Sequence, residues 1–248
     1  MQTVSNNYQT IVSGDHWFQS RLVIQDPNTW ANIGIYDEDK LFSMSTSLEL
    51  LKETFSIGGA PSAECDIVMV EPTVEIPPMS RLCLYTRARN DTLTSEWLLQ
   101  GIFFIDTRKH TITQSGEKIL TIHGYDAMLK AERMHTKAIT QKDADLIKSI
   151  ARAIGVRNAN GTERVDPRTW NIVPQAGQYS FSVTPSYAMR DTLRNIASAY
   201  GGWFIVTDNY YLRLLSVSEF PPETNLLTDE DYDRLVFGTG ANATRILV

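Results

Sequence analysis

The residues most able to do chemistry in this chain are few, and their spacing decides what they can do. His123 and Asp126, in His123-Gly124-Tyr125-Asp126, are the most tempting pair. A serine hydrolase needs a nucleophile on a tight turn and a histidine that takes its proton. No G-x-S-x-G occurs, and His123 falls in an alternating run that reads as a strand. A packed, hydrogen-bonded histidine is the preferred reading. Zinc needs close Cys/His pairs, and His16, His110, His123, His135, Cys65 and Cys83 have no such spacing. Asp229, Asp231 and Asp233 imitate the opening of a calcium loop. That loop requires Gly at its sixth position and Glu at its twelfth, where this chain has Arg234 and Gly240. Thr228 with Asp231 reads instead as a capped turn. Gly238-Thr239-Gly240 lacks the third glycine and following helix of a dinucleotide loop. No pair of carboxylates is singled out for glycoside hydrolysis. Trp17, Trp97 and Trp203 sit in alternating runs and read as core, which leaves Trp30 and Trp170 as candidates for exposed stacking. On these grounds the expected catalytic, cofactor-binding and metal residues are none.

The elements that would carry these residues are mostly strands. Trp97 to Arg133 reads as a strand through Leu99, Ile102 and Phe104, a polar reversal from Thr107 to Lys118, and a return strand through Ile119, Leu120 and Ile122. Gly124 then marks the exit, and Asp126 caps a helical turn that points Met128 and Leu129 inward. Upstream, Trp17–Ile24, Ala31–Tyr36, Cys65–Val70 and Arg81–Arg87 read as strands. In the third, Cys65, Ile67 and Met69 share one face. Ser43 to Ser56 fits helix or strand, with strand preferred, and Asp37-Glu38-Asp39-Lys40 is a solvated turn. Six or more short strands with Pro/Gly/Asn/Asp turns indicate a barrel or sandwich.

Past Arg133 the period changes. Leu146, Ile147, Ile150 and Ile154 share a helical face over Lys142–Ile154, and Gly155 follows as a stop. Arg157 to Gln178 reads as loop. A second helix is expected from Thr184-Pro185, with Thr184 or Ser186 as N-cap and a stripe of Met189, Leu193, Ile196, Ala197 and Tyr200. Trp203–Val206 and Tyr211–Leu215 bracket Asp208-Asn209 as a hairpin. The expected fold class is α+β, mainly β: a β-barrel-like domain over 1–133, an α+β lobe of two helices plus a hairpin over 134–222, and 223–248 as a return strand or the start of a further domain. The apolar ending Thr244-Arg245-Ile246-Leu247-Val248 needs a strand partner, or the chain is cut from something longer.

The chain has 248 residues, 42% of them hydrophobic and 21% charged, which is ordinary for a globular protein. Net charge is −6 and the sequence pI is about 5.3, against the clustered Lys and Arg that grip a phosphate backbone. No apolar run approaches a membrane span, and MQTVSNNYQT has neither the basic start nor the apolar core of a secretory signal. Cys65 and Cys83 read as two buried thiols of a chain that folds in a reducing cytoplasm.

The order of segments resembles the N-terminal part of phage and prophage tail hub proteins, a family that includes contractile-tail baseplate hubs and the tail-associated lysins of long-tailed phages. The resemblance is carried by FSIGGAPSAECDIVMV (Phe55–Val70), IPPMSRLCLYTR (Ile76–Arg87), WLLQGIFFIDTR with ILTIHGYDAMLKAE (within Trp97–Arg133), and YAMRDTLRNIASAYGGWFIVTDNYYLRLLSV (Tyr187–Val217). It implies a non-enzymatic hub: a homotrimer at the tail tip whose barrels form a ring below the tail tube, through which DNA and the tape-measure protein pass. Implied partners are the distal tail or tube protein, the tape-measure protein and a spike or fibre, with no specific nucleic-acid binding and no membrane segment. Implied location is the virion tail, assembled in the host cytoplasm. Family hubs pair two barrels per subunit, whereas this chain holds β-sequence for one, so it reads as a truncated hub. Two alternatives stay open at this point: a fragment of a tail-associated peptidoglycan hydrolase, and a carbohydrate-binding tail module using Trp30 or Trp170.

Overall fold

The computed structural model describes residues 4–50, 57–158 and 160–217, together with the backbone of two strands at 234–237 and 244–247. It divides into two compact units, one formed by 1–46 and 64–126, the other by 47–63 and 127–248. The fold is α+β and mainly β.

The first unit is built on one seven-stranded sheet. Its strands are β1 (Trp17–Gln25), β2 (Asn32–Tyr36), β3 (Leu41–Ser47), β4 (Glu64–Val70), β5 (Arg81–Arg89), β6 (Leu98–Ile112) and β7 (Lys118–Tyr125), in the spatial order β2-β1-β5-β6-β7-β4-β3. A short helix, α1 (Asn6–Val12), precedes β1; the Ser5 hydroxyl accepts from the Tyr8 amide at its start, and Ile11 is buried. The alternation read in Cys65, Ile67 and Met69 holds, since all three are buried. β5 does not alternate. Leu82, Cys83 and Leu84 are all buried, as befits a central strand covered on both faces.

The two ends of the sheet, β2 and β3, are consecutive in the chain and joined only by Asp37 to Lys40. The Asp37 carbonyl accepts from the amides of Lys40 and Leu41 at 2.9 and 3.1 Å. A sheet whose first and last strands are tied so tightly must be strongly curled. This is the barrel-like character expected from the sequence. The described residues contain no ladder between β2 and β3, so the sheet is not closed.

Two local features differ from expectation in the stretch from Trp97. The polar run from Thr107 does not turn. β6 continues to Ile112, because its backbone pairs with β7 as far as Ile112 opposite Lys118, and the reversal is confined to residues 113–117 around Gly116. Gly124 is not an exit but lies inside β7, opposite Ile105. A Cβ there would stand 2.7 Å from the Phe104 carbonyl oxygen and 3.2 Å from Cys65 Sγ, so close approach of β6 explains the glycine.

The second unit holds a 3-10 turn (Ala127–Glu132), β8 (Ile139–Lys142) paired with β9 (Ser180–Val183), α2 (Asp143–Ala153), a second 3-10 turn (Pro167–Asn171), α3 (Met189–Ala199), and a hairpin of β10 (Gly202–Val206) and β11 (Leu212–Ser216). Met128 is buried as expected, while Leu129 is only half-buried. Leu146, Ile147, Ile150 and Ile154 are fully buried. α3 starts later than expected. Ala188 is its N-cap and makes no side-chain cap, while the Thr184 and Ser186 hydroxyls bond each other at 2.8 Å. The stretch read as loop after Arg157 is pinned by the Asp166 cap of the second 3-10 turn and by a bridge of Val165 to Leu212. Toward the C-terminus, β12 (Arg234–Phe237) pairs antiparallel with β13 (Thr244–Leu247). The second half of the Ser43 to Ser56 stretch, Thr228-Glu230, and Gly238-Thr239-Gly240 lie outside the described residues.

Candidate functional site

The structure separates the tempting pair. His123 Nδ1 lies 2.9 Å from Asp66 Oδ1, across the register that sets β4 beside β7, and its ring meets Tyr125 edge-on at 4.9 Å. Asp126 is buried at the entry to the first 3-10 turn. Asp66 is largely exposed, so the His123–Asp66 contact is a surface pair in high dielectric. The other histidines are dispersed: His110 contacts Glu71 at 3.0 Å, His16 the Gly14 carbonyl at 2.7 Å, and His135 the Thr192 hydroxyl at 2.9 Å. Among the described residues no group of three or more His, Cys, Asp or Glu is placed to hold a metal ion. Cys65 and Cys83 are free and buried. Burial pushes their thiols up to about 12 and about 11, the reverse of a reactive cysteine.

The tryptophans correct the reading of core against surface. Trp203 is core, but Trp17 is 44% exposed at the start of β1, with Arg89 at 5.9 Å from its ring. Trp97 is half-buried, and the guanidiniums of Arg21 and Arg87 each lie 4.3 Å from its ring centroid. Trp30 and Trp170, expected to be free for stacking, are half-buried and already carry Arg81 at 4.2 Å and Lys148 at 5.3 Å. A sugar would have to displace those cations. Sequence missed the Arg21–Trp97–Arg87 stack because the three residues are far apart; register alone assembles them, Arg21 lying opposite Tyr85 on β5.

Asp37 anchors that stack. Its carboxylate takes Nε and a terminal NH2 of Arg21 at 2.6 and 2.8 Å, and this fork holds its carboxyl below the usual range. With Glu38, Asp39 and Arg87 it borders a shallow depression of about 200 Å³. A larger groove of about 570 Å³ lies between the loop 71–78 and the outer part of β6. Arg108 closes one side by donating to the Ile76 carbonyl at 2.5 Å, and the rest is a mixture of Pro72, Val74, Leu120 and the Glu71–His110 pair. Its size suits a ligand, yet its polar groups bond one another rather than converge on a point.

The second unit contains a group that the sequence reading did not single out. Asp143, fully buried at the start of α2, accepts from the amides of Ala144 (2.8 Å), Gln178 (3.1 Å) and Tyr179 (3.1 Å) and from the Tyr200 hydroxyl (2.5 Å). Those donors occupy the lone pairs a base would need. The Tyr200 phenol is pushed well above its ordinary range, first by burial and then by Asp143. Asp143 is an architectural anchor, joining α2, the loop before β9 and the end of α3.

Exposed apolar side chains of the first unit include Trp17 and Phe18 on β1, Ile35 on β2, Phe42 on β3 and Ile112 on β6, with Val74 and Leu93 in its loops. Exposed apolar side chains of this kind can serve contacts with another molecule.

No protein-family profile matches the chain, and no curated protein matches it. Solved structures do. The 43 kDa tail protein of prophage MuSo2 from Shewanella oneidensis aligns with a TM-score of 0.51 at 9% identity, over 86% of this chain and 59% of that one. A tail protein from Neisseria meningitidis MC58 aligns with a TM-score of 0.49 at 13% identity, over 88% of this chain and 57% of that one. The chain therefore spans somewhat over half the length of each. At 9% identity it is the arrangement of strands and helices, not the side chains, that is shared. The fold of this chain is that of a prophage tail protein.

Proposed function

We propose that the chain is a structural protein of a phage or prophage tail, placed at the tail tip as part of a hub or baseplate. The observation that carries this is the shared fold with the MuSo2 tail protein over 86% of the chain. The four donors that fill the buried Asp143 carboxylate fit a part that bears load. In this reading several copies, three in the intact hub, form a ring below the tail tube and meet the tube or distal tail protein, the tape-measure protein and a spike or fibre. The net charge of −6 supports a lumen through which DNA slides, because like charge keeps the polyanion from sticking. Assembly takes place in the host cytoplasm, and the protein ends in the virion tail.

Gold-labelled antibody against the chain, imaged on intact tails, tests the placement. Label concentrated at the distal tip is the expected result; label along the tube or absent from the particle sinks it. Zymography on cell-wall substrate is a second measurement, expected to stay blank, and lysis by the purified chain would move it to the tail-associated hydrolases.

A further inference from the structure

The chain reverses tightly after α2. The Asn158 amide donates to the Thr162 carbonyl at 2.8 Å, the Arg164 amide to the Val156 carbonyl at 2.9 Å, and Arg157 bridges Glu163 antiparallel. Asn160 and Gly161 lie in the bend, and Asn160 is exposed. Asparagine is one of the chemically labile side chains, and of all asparagines in the sequence only Asn160 precedes a glycine. Its Oδ1 accepts from the Thr162 amide at 3.1 Å, so the carboxamide folds back over the Gly161 peptide unit. That pose turns Cγ toward the Gly161 nitrogen, and the Thr162 N–H is placed to hold the negative charge that an attack on Cγ would put on Oδ1. Gly161 has φ of 85°, and a Cβ built there would find nothing within 4 Å. No side chain crowds the approach, and water reaches the bend. The Gly161 amide donates to the Asn158 carbonyl at 2.9 Å, a bond in an exposed turn that the attack must break.

We propose that Asn160–Gly161 is a self-modification site, where the chain converts a side-chain amide into a carboxylate with water as the only co-reactant. The Gly161 nitrogen gives up its proton and attacks Asn160 Cγ. The N–Cγ bond forms, the Cγ–Nδ2 bond breaks, and ammonia leaves with a proton in place of the one lost. Water then opens the five-membered imide. Cleaving the new N–Cγ bond leaves aspartate; cleaving the original peptide C–N bond leaves a chain that runs through the side chain, one methylene longer. Either product adds one negative charge to a chain already at −6. The longer product also strains the Asn158–Thr162 reversal, next to the point where Glu163 accepts from Arg152 at 2.7 Å. Asn90 is the comparison within the same molecule. Its Oδ1 accepts from the Thr92 amide at 3.0 Å in the same manner, but Asp91, with a side chain and a charge, follows it.

The proposal does not depend on where in a tail the chain sits. Its test is to hold the full chain at pH 8, folded and in urea, and to follow each asparagine by peptide mass spectrometry and isoaspartyl methylation. Asn160 in the folded chain is expected to convert at least about tenfold faster than Asn90, and within about tenfold of its own rate in urea. Asn160→Ser, at an exposed position compatible with folding, is expected to abolish the early acidic shift on ion exchange. Asp91→Gly, in an exposed turn, is expected to make Asn90 a second site. Conversion of Asn160 short of that margin over Asn90, or a folded rate more than about tenfold below the rate in urea, overturns the proposal. So does an acidic shift that survives Asn160→Ser, or an Asn90 indifferent to Asp91→Gly.

Discussion

Asp143→Ala should be the most damaging single truncation in the second unit. The carboxylate is fully buried and accepts from three backbone amides and the Tyr200 hydroxyl. Removing it leaves those donors without their acceptor, the Ala144 amide in a region closed to water. Each buried donor left unsatisfied costs about 1–3 kcal/mol, though the losses are not additive because the loop relaxes. The Gln178 and Tyr179 amides, on exposed residues, are the ones most able to find water. The Ala144 amide and the Tyr200 hydroxyl give an expected loss of about 2–4 kcal/mol, large for a point substitution. Tyr200→Phe removes a single donor while leaving the three amides in place, and should cost about 1–2 kcal/mol. In Asp143→Ala that hydroxyl has already lost its acceptor, so adding Tyr200→Phe should cost much less than it does alone. The assay is hydrogen exchange under native conditions, read at the amides of Gln178, Tyr179 and residues 146–150, together with urea unfolding. Gln178 and Tyr179 should lose protection first. A loss below about 1 kcal/mol, or strict additivity of the pair, would show that the carboxylate anchors nothing.

Three further outcomes follow from the same geometry. His135 is buried against Thr192, and burial alone holds its imidazole below the ordinary 6.5. The unfolded chain then binds the proton more readily, so stability should fall as pH drops below about 6.5, and urea midpoints of His135→Gln should be flatter across that window; equal pH slopes would refute this. Gly124→Ala places a Cβ 2.7 Å from a backbone carbonyl and should cost about 2–4 kcal/mol. Gly116→Ala, with φ of 87° but nothing within 4 Å, should cost only about 1 kcal/mol, and the reverse ranking in thermal melts would contradict the close-approach reading. Cys65 and Cys83, buried and with thiols pushed up, should resist a thiol-labelling reagent at pH 8 until the chain unfolds; stoichiometric labelling of the native protein would contradict their burial.

What could be read in the sequence was what repeats at short range. The 3.6-residue stripe of α2 and the two-residue stripe of β4 are local patterns, and both appear where the period places them. The errors come where tertiary pairing overrides local chemistry. Thr107 to Ile112 is polar enough to turn, yet it stays extended because β7 supplies a ladder for it. Thr184 and Ser186 are good capping residues, but they bond each other, and α3 waits until Met189. Gly124 resembles punctuation and is in fact a contact. The Trp97 stack and the Asp143 anchor were unreadable for a different reason. Arg21 and Arg87 meet Trp97, and Gln178 and Tyr200 meet Asp143, across separations that no short-range pattern encodes.

Much of the polar chemistry inside the fold is structural. An active site keeps polar groups incompletely bonded and aims them into a cavity that excludes water, so that a transition state completes them. Among the described residues several buried polar side chains are already committed to the fold. Asp143 has its full set of donors, Asp166 is held by both the side chain and the amide of Arg168, Thr169 accepts from Leu214, and Thr192 serves His135. Exposed apolar side chains, meanwhile, stand on the strands of the first unit, among them Trp17, Phe18, Ile35 and Phe42. Exposed Ile, Phe and Trp do not activate water or carry protons. They bury area, which is the chemistry by which protein subunits recognise one another.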